Sequence, residues 1–130
     1  MSNNCNGRRV VITGLGAITP LGNSIDELWS GIKEGRSGIA RTTLIDPTEF
    51  ASQIAGEVKN FQATDFMDKK EARNMARFTQ FAVAGTVQAM KDAGLDNETL
   101  GGYDSTRFGV YLGNGIGGFD VAEEGVSKLL

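Results

Sequence analysis

Residues 9–16 read Arg9-Val10-Val11-Ile12-Thr13-Gly14-Leu15-Gly16. A short run of β-branched residues that ends at glycines is typical of a buried strand in a parallel sheet. A similar run near the other end of the chain is Arg107-Phe108-Gly109-Val110-Tyr111-Leu112-Gly113. Both segments are predicted to be strands, and residues 53–58 are predicted to form one more.

A helix is predicted between the strand at residues 9–16 and the strand at residues 53–58. Ser24 and Glu27 form the S-x-x-E pattern, in which each side chain satisfies a free backbone amide at a helix start. Gly35 suits the C-terminal cap. Apolar residues at helical spacing give this helix one apolar face, and they are Ile25, Leu28, Trp29 and Ile32.

Two further helices are predicted. Asp68 and Glu71 form a second capping pattern, which opens a long helix that ends near Gly94. Helical spacing returns after residue 118, which predicts a last helix. One stripe of the long helix is mostly small and indicates close packing against another element; its residues are Phe78, Ala82, Gly85, Ala89 and Ala93.

Strands that alternate with helices predict an α/β fold with a parallel sheet and right-handed crossovers. The 130 residues amount to one domain. The sequence stops at Leu129-Leu130 within an apolar helical face and without a stop signal, which is typical of a truncated chain. Because a parallel sheet needs both faces covered, we expect exposed apolar surface and self-association.

The composition excludes several classes of function. The chain has no histidine and one cysteine, which removes Ser-His-Asp triads, His-ligated zinc and internal disulfides. The cysteine, Cys5, precedes the first strand and is interpreted as an incidental surface thiol. A net charge of -3 argues against a general nucleic-acid binder. No apolar run approaches the ~18 residues of a membrane span, so a soluble, cytoplasmic protein is expected.

Residues 113–118, Gly-Asn-Gly-Ile-Gly-Gly, satisfy the G-x-G-x-x-G pattern of dinucleotide-binding loops. That motif normally has an acidic residue about 20 positions later to hold the ribose, and this chain ends before that point. The alternative is that the glycines allow a tight turn close to another backbone, and this interpretation is favoured.

A basic stripe is predicted at the start of the long helix. Lys70, Arg73 and Arg77 lie at i, i+3 and i+7 and share a face, with Lys69 beside them. Cations in a first helical turn oppose the helix dipole. A solvated, salt-bridged face would explain the stripe, but on an acidic chain it also suits a small acidic partner protein.

The sequence resembles the N-terminal part of the β-ketoacyl-acyl-carrier-protein synthase II family, in order from Arg8 to Leu130. The matching stretches are residues 8–22, 35–39, 54–58, 70–73, 77–82 and 113–118. The length is roughly a third of such an enzyme. Residues 1–8 are expected to be a flexible N-terminus, as chain termini usually are. The resemblance implies that residues 9–130 are the first portion of the synthase N-terminal domain, truncated before the nucleophile.

The resemblance also implies a fold and a reaction. The fold is thiolase-like: two βαβαβαββ halves in five α-β-α-β-α layers, assembled as a homodimer. The reaction is a decarboxylative Claisen condensation of acyl and malonyl groups carried by acyl carrier protein, with no organic cofactor and no metal. It needs an activated cysteine and two histidines. In the family all three lie beyond the position of Leu130, so no catalytic residue is expected in this chain.

Some positions carry over from the family. Lys70 and Arg73 match basic residues that dock the acidic carrier protein in similar synthases. Ile116 matches a residue that lines and gates the acyl-chain pocket. Asn74 stands where relatives often have a basic residue, which implies weaker docking, and Ala76 stands where they often have Asp, with no evident consequence.

Three alternatives remain open from the sequence. The first is a segment of a type II polyketide ketosynthase or of its chain-length factor. The second is a non-catalytic fragment that only binds carrier protein. The third is a dinucleotide-binding domain. Each differs from a synthase segment in what it binds or makes.

Overall fold

The structure, a computed structural model, describes residues 9–130. The predictions for residues 1–8 and for Cys5 lie outside the described residues. Five helices are found in this part of the chain: α1 (Ile25–Lys33), α2 (Lys69–Arg73), α3 (Arg77–Asp92), α4 (Asn97–Leu100) and α5 (Phe119–Leu129). Two short strands and two 3₁₀ turns accompany them: β1 (Ala40–Arg41), β2 (Ile54–Ala55), Ala63–Asp65 and Ser105–Arg107.

The predicted helix caps are confirmed in part. The Ser24 hydroxyl accepts the amide N–H of Glu27 at 3.2 Å, as expected of an N-cap. The Glu27 carboxylate accepts instead from the amide of Asn23 at 2.6 Å, one residue before the expected partner. Gly35 and Gly94 follow α1 and α3 with φ of 66° and 68°, the left-handed conformation that ends helices and favours glycine.

The prediction of a strand over residues 9–16 is wrong for this structure. The segment is extended but pairs with no strand among residues 9–130. It lies along α3, where the amide of Leu15 donates to the Asp92 carboxylate at 2.9 Å and that of Ala17 donates to Gln88 Oε1 at 3.0 Å. Helix side chains therefore satisfy backbone groups that a neighbouring strand would satisfy in a sheet.

The small-residue stripe of α3 explains this contact. A Cβ added at Gly14 would lie 2.8 Å from the Cβ of Ala93, and one added at Gly16 would lie 2.9 Å from the carbonyl carbon of Gly85. Both distances are too short for a real side chain. The predicted close packing of this stripe against another element is thus confirmed, with the extended segment as that element.

The remaining strand predictions fare differently. Residues 107–113 begin at the end of a 3₁₀ turn and continue as chain without a strand partner among the described residues, so that prediction is wrong here. Residues 53–58 contain β2, which pairs antiparallel with β1 in the register Ala40 to Ala55. This two-stranded sheet replaces the predicted parallel sheet within residues 9–130, because no two of the expected strands meet.

The expected exposure of apolar side chains is confirmed in residues 9–16 and in residues 107–113. Val10 is 92% exposed, Ile12 is 81% exposed and Tyr111 is fully exposed. Exposed groups of large apolar side chains are typical of surfaces that bind another protein or another part of the same protein. The self-association that we expect from them stays a prediction.

The predicted long helix is divided in two. α2 ends at Arg73, residues 74–76 connect, and α3 begins at Arg77. Ala76 is extended with ψ of 152°, which breaks the helical path. Asp68 occupies the N-cap position of α2 as predicted, but its side chain makes no capping hydrogen bond.

Glu57 braces the loop that follows β1. Its carboxylate accepts the amide N–H and the hydroxyl of Thr43, both at 2.8 Å, the amide of Leu44 at 3.1 Å, and the hydroxyl of Thr42. These donors, the Thr42 hydroxyl foremost, lower the pKa of Glu57 from 4.5 to about 2. The ionised carboxylate therefore favours the folded loop.

Glu57→Gln is expected to destabilise the chain at neutral pH and to remove part of its acid sensitivity. A lowered pKa contributes stability that is present above the ordinary pKa of 4.5 and lost as the pH falls toward 2. The difference in urea midpoint between the unaltered chain and Glu57→Gln should be largest at about pH 7 and shrink by about pH 3. The exposed Glu49 gives the control, Glu49→Gln, and a pH-independent difference at Glu57 would contradict the brace.

Candidate functional site

A small aromatic cluster lies where the Ala63–Asp65 turn, α2 and α3 meet. Phe61, only 8% exposed, is its centre. Its ring stacks on Phe66 at 6.0 Å between centroids and meets Phe81 edge-on at 4.9 Å. Because apolar side chains buried within residues 9–130 are few, this cluster is a main support for α2 and for the start of α3.

Arg77 belongs to this cluster and not to the predicted basic stripe. Its guanidinium carbon lies 4.9 Å from the ring centroid of Phe81 and 5.8 Å from that of Phe61. It also donates to the carbonyl of Val58 at 3.2 Å. The prediction that Arg77 shares one helical face with Lys70 and Arg73 is wrong, because the helix breaks at residues 74–76.

The rest of the stripe stays together on α2. We call Lys69, Lys70 and Arg73 the α2 basic patch; with Asn74 they line one open concavity. All three side chains are exposed, and Ala72 is the buried residue of α2. Within residues 9–130 none of the three forms a salt bridge. The patch therefore presents positive charge to solvent that no salt bridge in the described part of the chain neutralises, which suits an acidic partner.

The glycine loop, residues 113–118, packs against the start of α3. A Cβ at Gly117 would lie 2.7 Å from the ring of Phe78, and Gly118 has a φ of 78° at the N-cap of α5. The tight-turn interpretation is thus supported at these two glycines. In the described part of the chain the element directly before the loop is the 3₁₀ turn Ser105–Arg107 and not a strand, so the strand-loop-helix context of a dinucleotide motif is missing.

Ile116 projects from this loop and is 80% exposed. A Cβ at Gly118 would lie 3.8 Å from that of Ala76, in the connection that follows α2. The α2 basic patch and the glycine loop therefore lie at opposite ends of the connection formed by residues 74–76. The sequence did not indicate this proximity.

Sequence reasoning missed Gln80. This α3 side chain donates from Nε2 to the carbonyl of Ala72 at 2.8 Å and to that of Met75 at 3.3 Å. Glutamine is common within helices, and neither Gln80 nor the residues around it in the sequence indicate that its side chain bonds to the backbone of α2 and of the connection after it. The contact joins the last turn of α2 and the connection that follows it to α3.

Among the helices formed by residues 9–130, none has the length and hydropathy that crossing a bilayer requires.

Comparison with known proteins gives consistent matches. A family model described as "Beta-ketoacyl synthase, N-terminal domain" matches residues 7–129. The 3-oxoacyl-[acyl-carrier-protein] synthase 2 of Synechocystis sp. is 46% identical over 127 residues, which are 98% of this chain and 30% of that protein. The enzyme of the same name from Vibrio harveyi is 42% identical over 95% of this chain and 29% of its own length.

Two solved structures are similar as well. The ishigamide ketosynthase/chain length factor superposes with a TM-score of 0.65 at 36% identity, over 71% of this chain and 23% of that one. A β-ketoacyl synthase from Burkholderia phymatum gives a TM-score of 0.58 at 33% identity, with the same coverage. The α/β ketosynthase type of fold is therefore confirmed for that part of the chain.

The chain spans about 30% of the length of the curated relatives that it matches. The resemblance found in the sequence is confirmed by the family match, which covers nearly every residue. This chain belongs to the β-ketoacyl synthase family, and its residues 7–129 match the N-terminal domain of that family.

Proposed function

We propose that this chain is the N-terminal segment of a 3-oxoacyl-acyl-carrier-protein synthase that elongates acyl chains in fatty-acid biosynthesis. The observation that carries the proposal is the 42–46% identity, over 95–98% of this chain, to proteins named 3-oxoacyl-[acyl-carrier-protein] synthase 2. The complete enzyme would be a cytoplasmic homodimeric acyltransferase with a thiolase-like fold.

In the proposed reaction the acyl group passes from acyl carrier protein to a cysteine thiolate. Malonyl carrier protein loses carbon dioxide, and the carbanion attacks the acyl thioester carbonyl and expels the thiolate. The product carries two more carbons. Residues 1–130 contain no histidine. The cysteine and the two histidines of the reaction would thus come from the remainder of the synthase.

The α2 basic patch is the proposed docking surface for acyl carrier protein, through Lys70 and Arg73. Three exposed cations without salt-bridge partners among residues 9–130 lose little on binding, because no internal ion pair has to break first. Asn74 lines the same concavity without a charge. Docking is therefore expected to be weaker than in a relative with a basic residue there.

Ile116 is the proposed gate of the acyl-chain pocket. Its side chain is exposed on a loop whose glycines fit closely against Phe78. This packing fixes the backbone at Gly117 and Gly118 and so limits where the neighbouring side chain can point. The bulk of residue 116 would then restrict the length of the acyl chain that enters.

The proposal is tested in a grafted synthase, in which this chain replaces the aligned residues of the Synechocystis enzyme. We expect the graft to form the 3-oxoacyl product from acyl and malonyl carrier proteins, since the matching segments share 46% of their residues. Mass spectrometry of the carrier-bound products is the measurement. A folded graft that binds carrier protein without condensation would contradict the proposal and favour the non-catalytic alternative.

The ishigamide ketosynthase/chain length factor supports a second candidate, a segment of a polyketide ketosynthase or of its chain-length factor. The same products separate the two functions. One condensation per loaded chain indicates fatty-acid elongation, whereas repeated condensation without reduction of the 3-oxo group indicates polyketide synthesis. The higher identity to the curated fatty-acid synthases favours the first.

A further inference from the structure

α2 is too short to hold its own direction. It has five residues, whereas isolated helices below about 12 residues are marginal in water. Its Asp68 makes no side-chain cap at the N-terminus. The direction in which this helix presents its basic side chains must therefore be set by contacts with the rest of the chain.

Besides the contact of α2 with the Ala63–Asp65 turn, Ala72 and Gln80 make contacts of that kind. Ala72, 7% exposed, packs the inner face of α2, and apolar packing of one small side chain leaves rotation about it possible. The directional contact is made by Gln80, whose Nε2 donates to the carbonyls of Ala72 and Met75 at 2.8 and 3.3 Å. The Ala72 carbonyl lies in the last turn of α2 and also accepts the amide N–H of Met75 at 3.3 Å, and the Met75 carbonyl lies in the connection that follows α2.

We infer that Gln80 is the positioning residue of the α2 basic patch: it fixes the C-terminal end of α2 on α3 and thereby the direction of Lys70 and Arg73. The inference rests on the proposed docking of acyl carrier protein at this patch. Gln80 does not itself touch the carrier protein. It restricts the orientations that α2 and its basic side chains adopt before binding. Pre-organisation of this kind raises the affinity for the carrier protein.

The test variant is Gln80→Met in the grafted synthase, which keeps a long unbranched side chain and removes both donors. The matched control is Gln88→Met. Gln88 also lies on α3 and also makes two polar contacts with backbone, to the amide of Ala17 at 3.0 Å and the carbonyl of Asn23 at 2.6 Å. The control therefore removes comparable hydrogen bonds away from α2.

Two readouts are compared. The first is amide hydrogen exchange over residues 70–75, and the second is the KM for an acyl group on carrier protein against the same group on N-acetylcysteamine. We expect Gln80→Met to speed exchange in α2 and to raise the KM for the carrier-bound substrate about 3- to 10-fold, with no change for the small thioester. Gln88→Met should change neither α2 exchange nor that KM.

Equal KM values for carrier-bound substrate in Gln80→Met and Gln88→Met would overturn the inference, whatever the exchange shows. The double variant Lys70→Glu plus Arg73→Glu distinguishes failure of the positioning role from failure of the docking surface. If that double variant raises the KM while Gln80→Met does not, only the positioning role fails. If the double variant leaves the KM unchanged, the docking surface fails and the positioning role fails with it.

Discussion

Lys70→Glu combined with Arg73→Glu is expected to lower kcat/KM of the grafted synthase for carrier-bound acyl groups by roughly 10- to 100-fold. Both side chains are exposed and lack salt-bridge partners in the described part of the chain, so reversal replaces attraction to an acidic partner with repulsion. Because neither residue lies in the described hydrophobic cluster, the thermal midpoint should change little.

The control for this experiment carries the same change of net charge elsewhere. Lys33→Glu and Lys91→Glu alter the ends of α1 and α3, and they should leave the carrier-protein KM near its unaltered value. Turnover of the N-acetylcysteamine thioester should be the same in all three proteins. Equal losses for the two double variants would indicate a general charge effect and would refute the docking surface.

Gly16→Ala is expected to destabilise the segment by about 3 kcal/mol, the upper end of the usual cost of overpacking. The new methyl group would meet the backbone of α3, at 2.9 Å from the carbonyl carbon of Gly85 and 3.0 Å from the amide nitrogen of Ala89. Backbone cannot rotate aside as a side chain can. The extended segment would have to leave α3, with loss of its hydrogen bonds to the Gln88 and Asp92 side chains.

The matched control is Gly85→Ala, on the helix side of the same contact. A Cβ at Gly85 meets nothing within 4 Å, and alanine favours a helix interior over glycine by about 1 kcal/mol. Denaturant midpoints should therefore fall for Gly16→Ala and stay equal or rise for Gly85→Ala. A Gly16→Ala protein as stable as the unaltered one would show that the close approach is not required.

Local patterns in the sequence predicted the elements that depend on local interactions. α1 follows from its N-cap serine, its apolar spacing and its C-terminal glycine, all within one stretch of chain. The small-residue stripe of α3 predicted a close neighbour, since small side chains permit approach of another backbone. The family resemblance rested on several continuous stretches of matching residues, and the family match confirmed it.

Features that depend on distant partners were not predictable in this way. A β-branched run such as residues 9–16 shows a preference for extended backbone, but a strand exists only where a second strand lies alongside it. The side chain of Gln80 joins α2 and the connection after it to α3 through contacts that no helical pattern reveals. Arg77 matched the basic stripe by spacing, yet aromatic rings from two different segments determine where its charge lies.

The position of Arg77 divides the cations of this region by their response to ionic strength. Mobile ions shorten the reach of exposed charges to about 8 Å at physiological concentration, and this applies fully to Lys70 and Arg73. Arg77 is exposed too, but within residues 9–130 its guanidinium contacts two aromatic rings and the carbonyl of Val58 and no opposite charge, so mobile ions weaken these short-range contacts less. Added salt would thus release a bound acidic partner while the joint between α2 and α3 stays intact, which makes salt elution a gentle way to recover the protein.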